Sequence, residues 1–285
     1  AGQATDDDVR RAVEGWRPVA LQVGGAKEPE KTTFSDVKGQ SAAKDVLSRY
    51  VLGPLKNPEV YARYGVRCPR GALLYGPPGC SKTMFGRAIA GEIGGRFLSV
   101  KGPELVSKYL GESERNVREV FRRVRESGGV VFFDEVDAVA SKRGEGGDRL
   151  LSQILTEVDG LGTAENVVVV AATNRPDLLD DALLRAGRLE VKCYCGLTPT
   201  ASIYEGALEG CKTEGVDLAK LEEASEGLTG AEVHAVVRNA KVRAVEDGRG
   251  LLTGDDLLKA AREMERGVTE DVLDFYRDWR EANGG

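Results

Sequence analysis

The residues 76–83, Gly76-Pro77-Pro78-Gly79-Cys80-Ser81-Lys82-Thr83, are the ones whose types and spacing could hold a polyphosphate. A short apolar run at 72–75 reads as a buried strand, Gly-Pro-Pro-Gly breaks it, and Lys82-Thr83 opens a helix. Such a loop turns its backbone N–H groups inward and feeds a helix N-terminus, whose partial positive charge suits an anion. Lys82 can reach the outer phosphates, and the Thr83 hydroxyl can ligate Mg²⁺. The nucleotide-contacting stretch then runs through Pro78, Gly79, Cys80, Ser81, Lys82, Thr83 and Met84. Ser81 stands where G-x-x-x-x-G-K-[ST] has its second glycine. A Cβ there predicts a negative φ as the helix begins.

Hydrolysis needs more than a grip on phosphate. It needs a held Mg²⁺, an oriented water and positive charge at the transition state. Asp134 ends the apolar run Val130-Val131-Phe132-Phe133, where it can hold the metal's water shell. Glu135, next in line, can polarise the attacking water. Asn174 follows the apolar run 167–172, on the side where open parallel sheets place ligands. Arg185 and Arg188 flank Ala186-Gly187. By spacing alone they read as a solvated surface pair. His234, the one histidine, has no partner at ligand spacing and reads as structural.

The elements that must position these groups follow from periodicity. Apolar runs at 72–75, 97–100, 130–133, 167–172 and 191–195 alternate with helical patterns at 41–52, 82–92, 113–127 and from 148 onward. Five short strands between helices imply a parallel sheet covered on both faces. Gly53-Pro54 and Asn57-Pro58 read as punctuation, with another short helix at 58–64 and a short turn of helix at 105–109. After Pro199 the pattern turns wholly helical, with a capping box at Thr229 to Glu232 and a final helix at 269–280. The default for Tyr276 and Trp279 is packing on that helical lid. Docking on a neighbouring subunit is the other reading. It expects removal of residues 268–285 to weaken assembly without unfolding the monomer. Residues 5–17 fit an amphipathic helix and 18–32 a linker.

A chain of 285 residues with 41% hydrophobic content can bury a large core. Its net charge of −6 argues against nucleic-acid binding through a general basic surface. Five cysteines without framework spacing read as reduced intracellular thiols, in a cytoplasmic or also nuclear protein. Neither a signal peptide nor a membrane-length apolar run is visible.

Gly-Pro-Pro-Gly-Cys-Ser-Lys-Thr, Val-Phe-Phe-Asp-Glu-Val-Asp, Ala-Thr-Asn-Arg-Pro and Leu-Arg-Ala-Gly-Arg-Leu together resemble the AAA ATPases. The resemblance spans about residues 34–261 and is greatest to the second ATPase domain of the valosin-containing-protein family. Cys80-Ser81-Lys82-Thr83, Lys101 to Leu105 and Lys108 to Glu114 resemble the branch that releases maturation factors from precursor large ribosomal subunits. What this implies is an α/β AAA+ P-loop NTPase domain with a five-stranded parallel sheet and a small C-terminal helical lid. Its divisions are 1–33 as the tail of a preceding ATPase domain, 34–196 as the α/β part, 197–267 as the lid and 268–285 as a last helix. The natural protein would then be longer.

By the same resemblance, Lys82, Glu135, Asn174, Arg185 and Arg188 are the catalytic set, the two arginines reaching a neighbouring subunit. Thr83 and Asp134 serve Mg²⁺. Asp36, Val37 and Gly39 sandwich the adenine of ATP or ADP, and Gly230-Ala231 cover it from the lid. Asp159-Gly160-Leu161 resembles an intersubunit signalling motif. Lys108, Tyr109 and Leu110 match a pore loop that grips a threaded protein substrate. Ala186 departs from the proline common between the arginines. The partners implied are five further copies in a hexameric ring, a protein substrate, and a pre-ribosomal particle or adaptors, with no direct nucleic acid and no membrane. Three uses remain open: release of factors from ribosome precursors, a general segregase of ubiquitylated proteins, or a nucleotide-sensing ring with little turnover. Helicase action is less supported, since no aromatic base platform is evident.

Overall fold

A computed structural model describes residues 31–105, 112–140, 147–161 and 167–283. The helix expected within 5–17, the pore loop Lys108-Tyr109-Leu110 and residues 141–146 lie outside these.

Helix α1 (Ser41–Leu47) runs into a π-helical turn at Ser48–Leu52 and on into α2 (Gly53–Lys56). Gly53-Pro54 therefore does not stop the helix, contrary to its reading as punctuation. Pro54 falls at the start of α2, where a missing N–H costs little. Helix α3 (Pro58–Arg63) precedes β1 (Gly71–Tyr75) and α4 (Lys82–Glu92). Strand β2 (Arg96–Lys101) leads directly into α5 (Gly102–Leu105), while residues 106–109 of the helical turn expected at 105–109 lie outside the described residues. Then come α6 (Glu112–Ser127), β3 (Gly129–Asp134), α7 (Gly147–Asp159), β4 (Val167–Thr173) and β5 (Val191–Tyr194).

The five strands pair in parallel in the order β2-β3-β4-β1-β5. Every residue of β1 and β4 is buried, which is why these strands read as unbroken apolar runs. Alternate residues serve opposite layers. Ala72, Leu74, Val130, Phe132, Val168 and Val170 pack with α1 and α4, including Leu47, Phe85 and Ile89. Leu73, Tyr75, Val131, Phe133, Val169 and Ala171 pack with α6 and α7, including Val117, Phe121 and Ile154.

The lid holds α8 (Ala201–Leu208), α9 (Leu218–Ala224), α10 (Gly230–Glu246) and α11 (Gly254–Glu263) around Tyr204, Leu221, Val236 and Leu257. It is not wholly helical, because β6 (Thr213–Glu214) pairs with β7 (Leu252–Thr253) in parallel. Two residues a strand are too few to register as a pattern. Thr229 and Thr253 cap α10 and α11 with reciprocal capping boxes, each satisfying otherwise orphaned N–H groups.

Helix α12 (Glu270–Ala282) packs on the α/β part rather than on the lid, a correction to the default expected from its sequence. Val272, Phe275, Tyr276 and Trp279 form its apolar stripe at helical spacing and meet the same layer as Leu73 and Phe133. Tyr276 is only 3% exposed, and the Trp279 ring lies 4.5 Å from that of Tyr75. Truncation of residues 268–285 is therefore expected to lower the thermal midpoint of the monomer. Tyr276→Ala should cost about 3 kcal/mol in urea unfolding. An unchanged midpoint in both would contradict this packing.

Candidate active site

The loop after β1 turns beside β5. The Cys195 N–H donates to Tyr75 O at 2.8 Å, and Gly76 follows at φ +147°. A Cβ on Gly76 would lie 2.0 Å from Cys195 O, so glycine is obligatory there. The loop then closes over the N-terminus of α4. Lys82 is buried, and its ammonium donates to Gly76 O at 2.8 Å and Pro77 O at 2.7 Å. Two of three ammonium protons are thus spent on the loop, leaving one for a ligand. Burial lowers the Lys82 pKa, while Cys195, Cys80, Asp134 and Asp137 pull the other way. Burial also pushes the Cys80 thiol up to about 11, so it is a packing group and not a thiolate.

Ser81 sits at φ 61°, ψ 17°. The negative φ expected of it is not what the structure has. The loop demands a left-handed residue before the helix, and serine adopts it at a cost on the order of 1–2 kcal/mol. Glu135 is likewise left-handed, at φ 51°. Strained backbone of this kind persists only where its surroundings over-determine it.

These groups converge at the carboxyl ends of β1, β3 and β4, around a cavity of about 390 Å³. Its floor is Pro78, Gly79, Cys80, Ser81, Lys82, Thr83 and Met84, with Asp134, Glu135 and Asn174 at one end. The Thr83 hydroxyl donates to Asp134 Oδ2 at 3.0 Å, and Asp134 Oδ1 accepts the Glu135 N–H at 3.1 Å. A hydroxyl and a carboxylate this close offer Mg²⁺ the hard oxygen donors it prefers, beside the phosphate loop. Asn174 is half-buried, and its Oδ1 has no partner among the described residues. Thr173 anchors the strand end beneath it. The Thr173 hydroxyl donates to Asp137 Oδ1 at 2.5 Å and accepts the Arg175 N–H at 2.9 Å.

The far end of the cavity is built by Asp36, Lys38, Ile203, Gly230, Ala231 and His234. The Ala231 N–H donates to Gly79 O at 3.1 Å, so the lid rests on the phosphate loop within one chain. Of the segment expected around the base, Asp36 lines the cavity but Val37 and Gly39 do not. Val37 is fully buried in the core, and Gly39, at φ +66°, lies against Thr198. They shape the segment that Asp36 and Lys38 present.

His234, read from the sequence as structural, is placed by the structure at the cavity. It is exposed on α10, one turn after Gly230, and faces the cavity. The i, i+4 spacing from Gly230 carried that signal. Lys38 lies between Val37 and Gly39, within the segment that the resemblance already set around the base, whereas Ile203 had no signal because only the folded lid brings it near the loop.

Arg185 and Arg188 do not line this cavity. Arg188 makes a two-pronged ion pair with Asp159, at 3.0 and 2.8 Å, and donates to Ala182 O. That hydrogen-bonded pair holds the Asp159 carboxyl below its ordinary value. Asp159 of Asp159-Gly160-Leu161 therefore meets an arginine of its own chain. Arg185 is exposed and has no ion pair among the described residues.

A phosphate loop, an Asp-Glu strand end and a helical lid on a five-stranded parallel sheet define a P-loop nucleotide-binding domain. Residues 72–197 match the family described as "ATPase family associated with various cellular activities (AAA)", and 215–259 match the AAA+ lid domain. The chain belongs to the AAA ATPase family and is an ATPase domain of that family. It is 40% identical to the ATPase family gene 2 protein of Schizosaccharomyces pombe, over 99% of this chain and 36% of that protein. It is 39% identical to human ATPase family gene 2 protein homolog A, over 97% and 32%. It is 40% identical to a cell division cycle protein 48 homolog of Archaeoglobus fulgidus, over 92% and 37%. The chain thus spans about a third of the length of these relatives.

Ser81→Gly is expected to stabilise the domain by up to about 1 kcal/mol, the relief of left-handed strain being partly offset by glycine's freedom in the unfolded chain. Urea titration checks it, and a loss of stability would mean that the serine side chain holds the turn.

Proposed function

We propose that this domain binds Mg²⁺·ATP in the cavity above the phosphate loop and hydrolyses it as one subunit of a ring that remodels protein substrates. The observation that carries the reading is the Thr83–Asp134 contact of 3.0 Å, with Glu135 next in line in the same cavity as Lys82. In this reading Lys82 and the loop N–H groups hold the phosphates, and Thr83 and Asp134 fix the metal. Mg²⁺ would neutralise charge on the outer phosphates. Glu135 orients water, and Asn174 contacts the terminal phosphate. Lys38, Gly230, Ala231 and His234 enclose the nucleoside end.

Ring assembly is supported by two features. Arg185 stands exposed away from its own cavity, as a finger for a neighbour's phosphate would. Exposed apolar side chains also occur on both parts of the chain. Tyr50, Val60, Tyr64 and Val66 lie before the sheet, with Tyr64 83% exposed, and Val242 and Val245 lie on α10, with Val245 73% exposed. Two different patches on one chain suit a head-to-tail contact, which closes into a ring. Arg188, paired with Asp159, would act in trans only after exchanging that partner.

Release of factors from large-subunit ribosome precursors is the use favoured by Cys80-Ser81-Lys82-Thr83. A general segregase is the second reading, favoured by the equal 40% identity to the cell division cycle protein 48 homolog. Either use places the protein in the cytoplasm or nucleus and needs a pore loop, the role assigned to Lys108, Tyr109 and Leu110.

Glu135→Gln is expected to keep nucleotide affinity and lower turnover by at least 10²-fold. Unchanged turnover would remove Glu135 from the reaction and leave a nucleotide-sensing ring as the better account. Specific activity should rise with protein concentration. Arg185→Ala and Val245→Asp should both flatten that rise, the first with assembly intact and the second with assembly lost by sedimentation. Turnover that is concentration-independent in all three proteins would overturn the ring.

A further inference from the structure

Helix α12 contacts the last residues of β1 and β5 and the main chain just past β4. The Trp279 ring meets Tyr75, the last residue before Gly76, at 4.5 Å. The Tyr276 ring lies 5.9 Å from Tyr194 at the end of β5. Lys192 of β5 donates to Asn283 O at 3.0 Å, beyond the helix C-terminus. The Tyr276 hydroxyl donates to the main-chain oxygen of Asn174 at 2.6 Å. Asn174 lies one residue past the end of β4, so no sheet ladder holds its carbonyl. Its flanks are set instead by Thr173 with Asp137 on one side and by the Arg175–Asp177 ion pair on the other. Beside this contact is a cavity of about 290 Å³ lined by Asn174, Arg175, Asp271, Val272, Phe275 and Tyr276. At the edge of this cavity the tyrosine hydroxyl is what reaches across to the Asn174 main chain.

We infer that Tyr276 is a positioning residue of the ATPase centre, its hydroxyl holding the Asn174 main chain so that the amide side chain stays aimed into the phosphate cavity. The inference rests on the proposed hydrolysis with Asn174 at the terminal phosphate. Burial raises the Tyr276 pKa to about 12, so the hydroxyl remains a donor across the working range. A tyrosine in this place does two separable things. Its ring fills the core between α12 and the sheet, and its oxygen fixes one peptide. Phenylalanine keeps the first and removes the second.

The test is a double-mutant cycle on the chain at protein concentrations where turnover per subunit has levelled off. Tyr276→Phe is expected to lower kcat about tenfold, the scale of one buried hydrogen bond, with KM for ATP and affinity for ADP within twofold of wild type. In an Asn174→Ala background the same change is expected to cost less than twofold, since the group it positions is gone. A thermal midpoint close to wild type for Tyr276→Phe shows that the core survives. An unchanged kcat, or a tenfold loss that persists in the Asn174→Ala background, would overturn the inference. An Asn174→Ala protein with wild-type turnover would instead overturn the placement of Asn174 at the phosphate, and the inference with it.

Discussion

The geometry of the cavity depends on how closely the chain leaves β1 past β5. Tyr75 O accepts the Cys195 N–H at 2.8 Å, and the next residue has room for a hydrogen only. That exit fixes where the loop begins, and Lys82 then ties the loop to itself through two carbonyls. A loop closed this way presents its remaining N–H groups without reorganising when an anion arrives, which is the condition for strong electrostatic binding in a partly dry site. Thr83, one residue on, reaches Asp134 of β3, and so the loop is registered against a strand two positions across the sheet.

The same end of the sheet is braced from two directions. On one side the lid rests on Gly79 through the first turn of α10, whose own start is fixed by the Thr229–Glu232 capping box. On the other, α12 covers the strand ends with an aromatic cluster formed by Tyr75, Tyr194, Tyr276 and Trp279. Strain at Ser81 and Glu135 is sustained between these braces. Both positions sit at the cavity, as left-handed non-glycine residues in enzymes often do.

Much of this was legible in the sequence because it is local. The five apolar runs are continuous where both faces of a strand are buried, and they coincide with β1 to β5 within a residue or so. The Gly-Pro-Pro-Gly loop, the Asp-Glu pair and the capping boxes are defined by neighbours a few residues away. What was not legible depends on the surrounding fold and not on residue type alone. Ser81 takes φ 61° because of the loop it completes, not because of its own type. The stripe on α12 announces that something will cover it but not what. Here the cover is the sheet layer of Leu73 and Phe133, both far earlier in the chain. The helix that continues through Gly53-Pro54 likewise follows from packing of Leu52 and Leu55 on the core, which outweighs a weak local stop signal.

The chain has two tryptophans, and Trp279 is the one inside the described fold. Its indole lies against Tyr75, whose carbonyl already sets the start of the phosphate loop. The emission of that indole therefore carries an optical record of the strand end. Any rearrangement that lifts α12 or shifts the exit of β1 alters the ring's solvent contact and its energy transfer from the adjacent tyrosine. The fold has placed an intrinsic fluorophore against the residue that precedes its own phosphate loop.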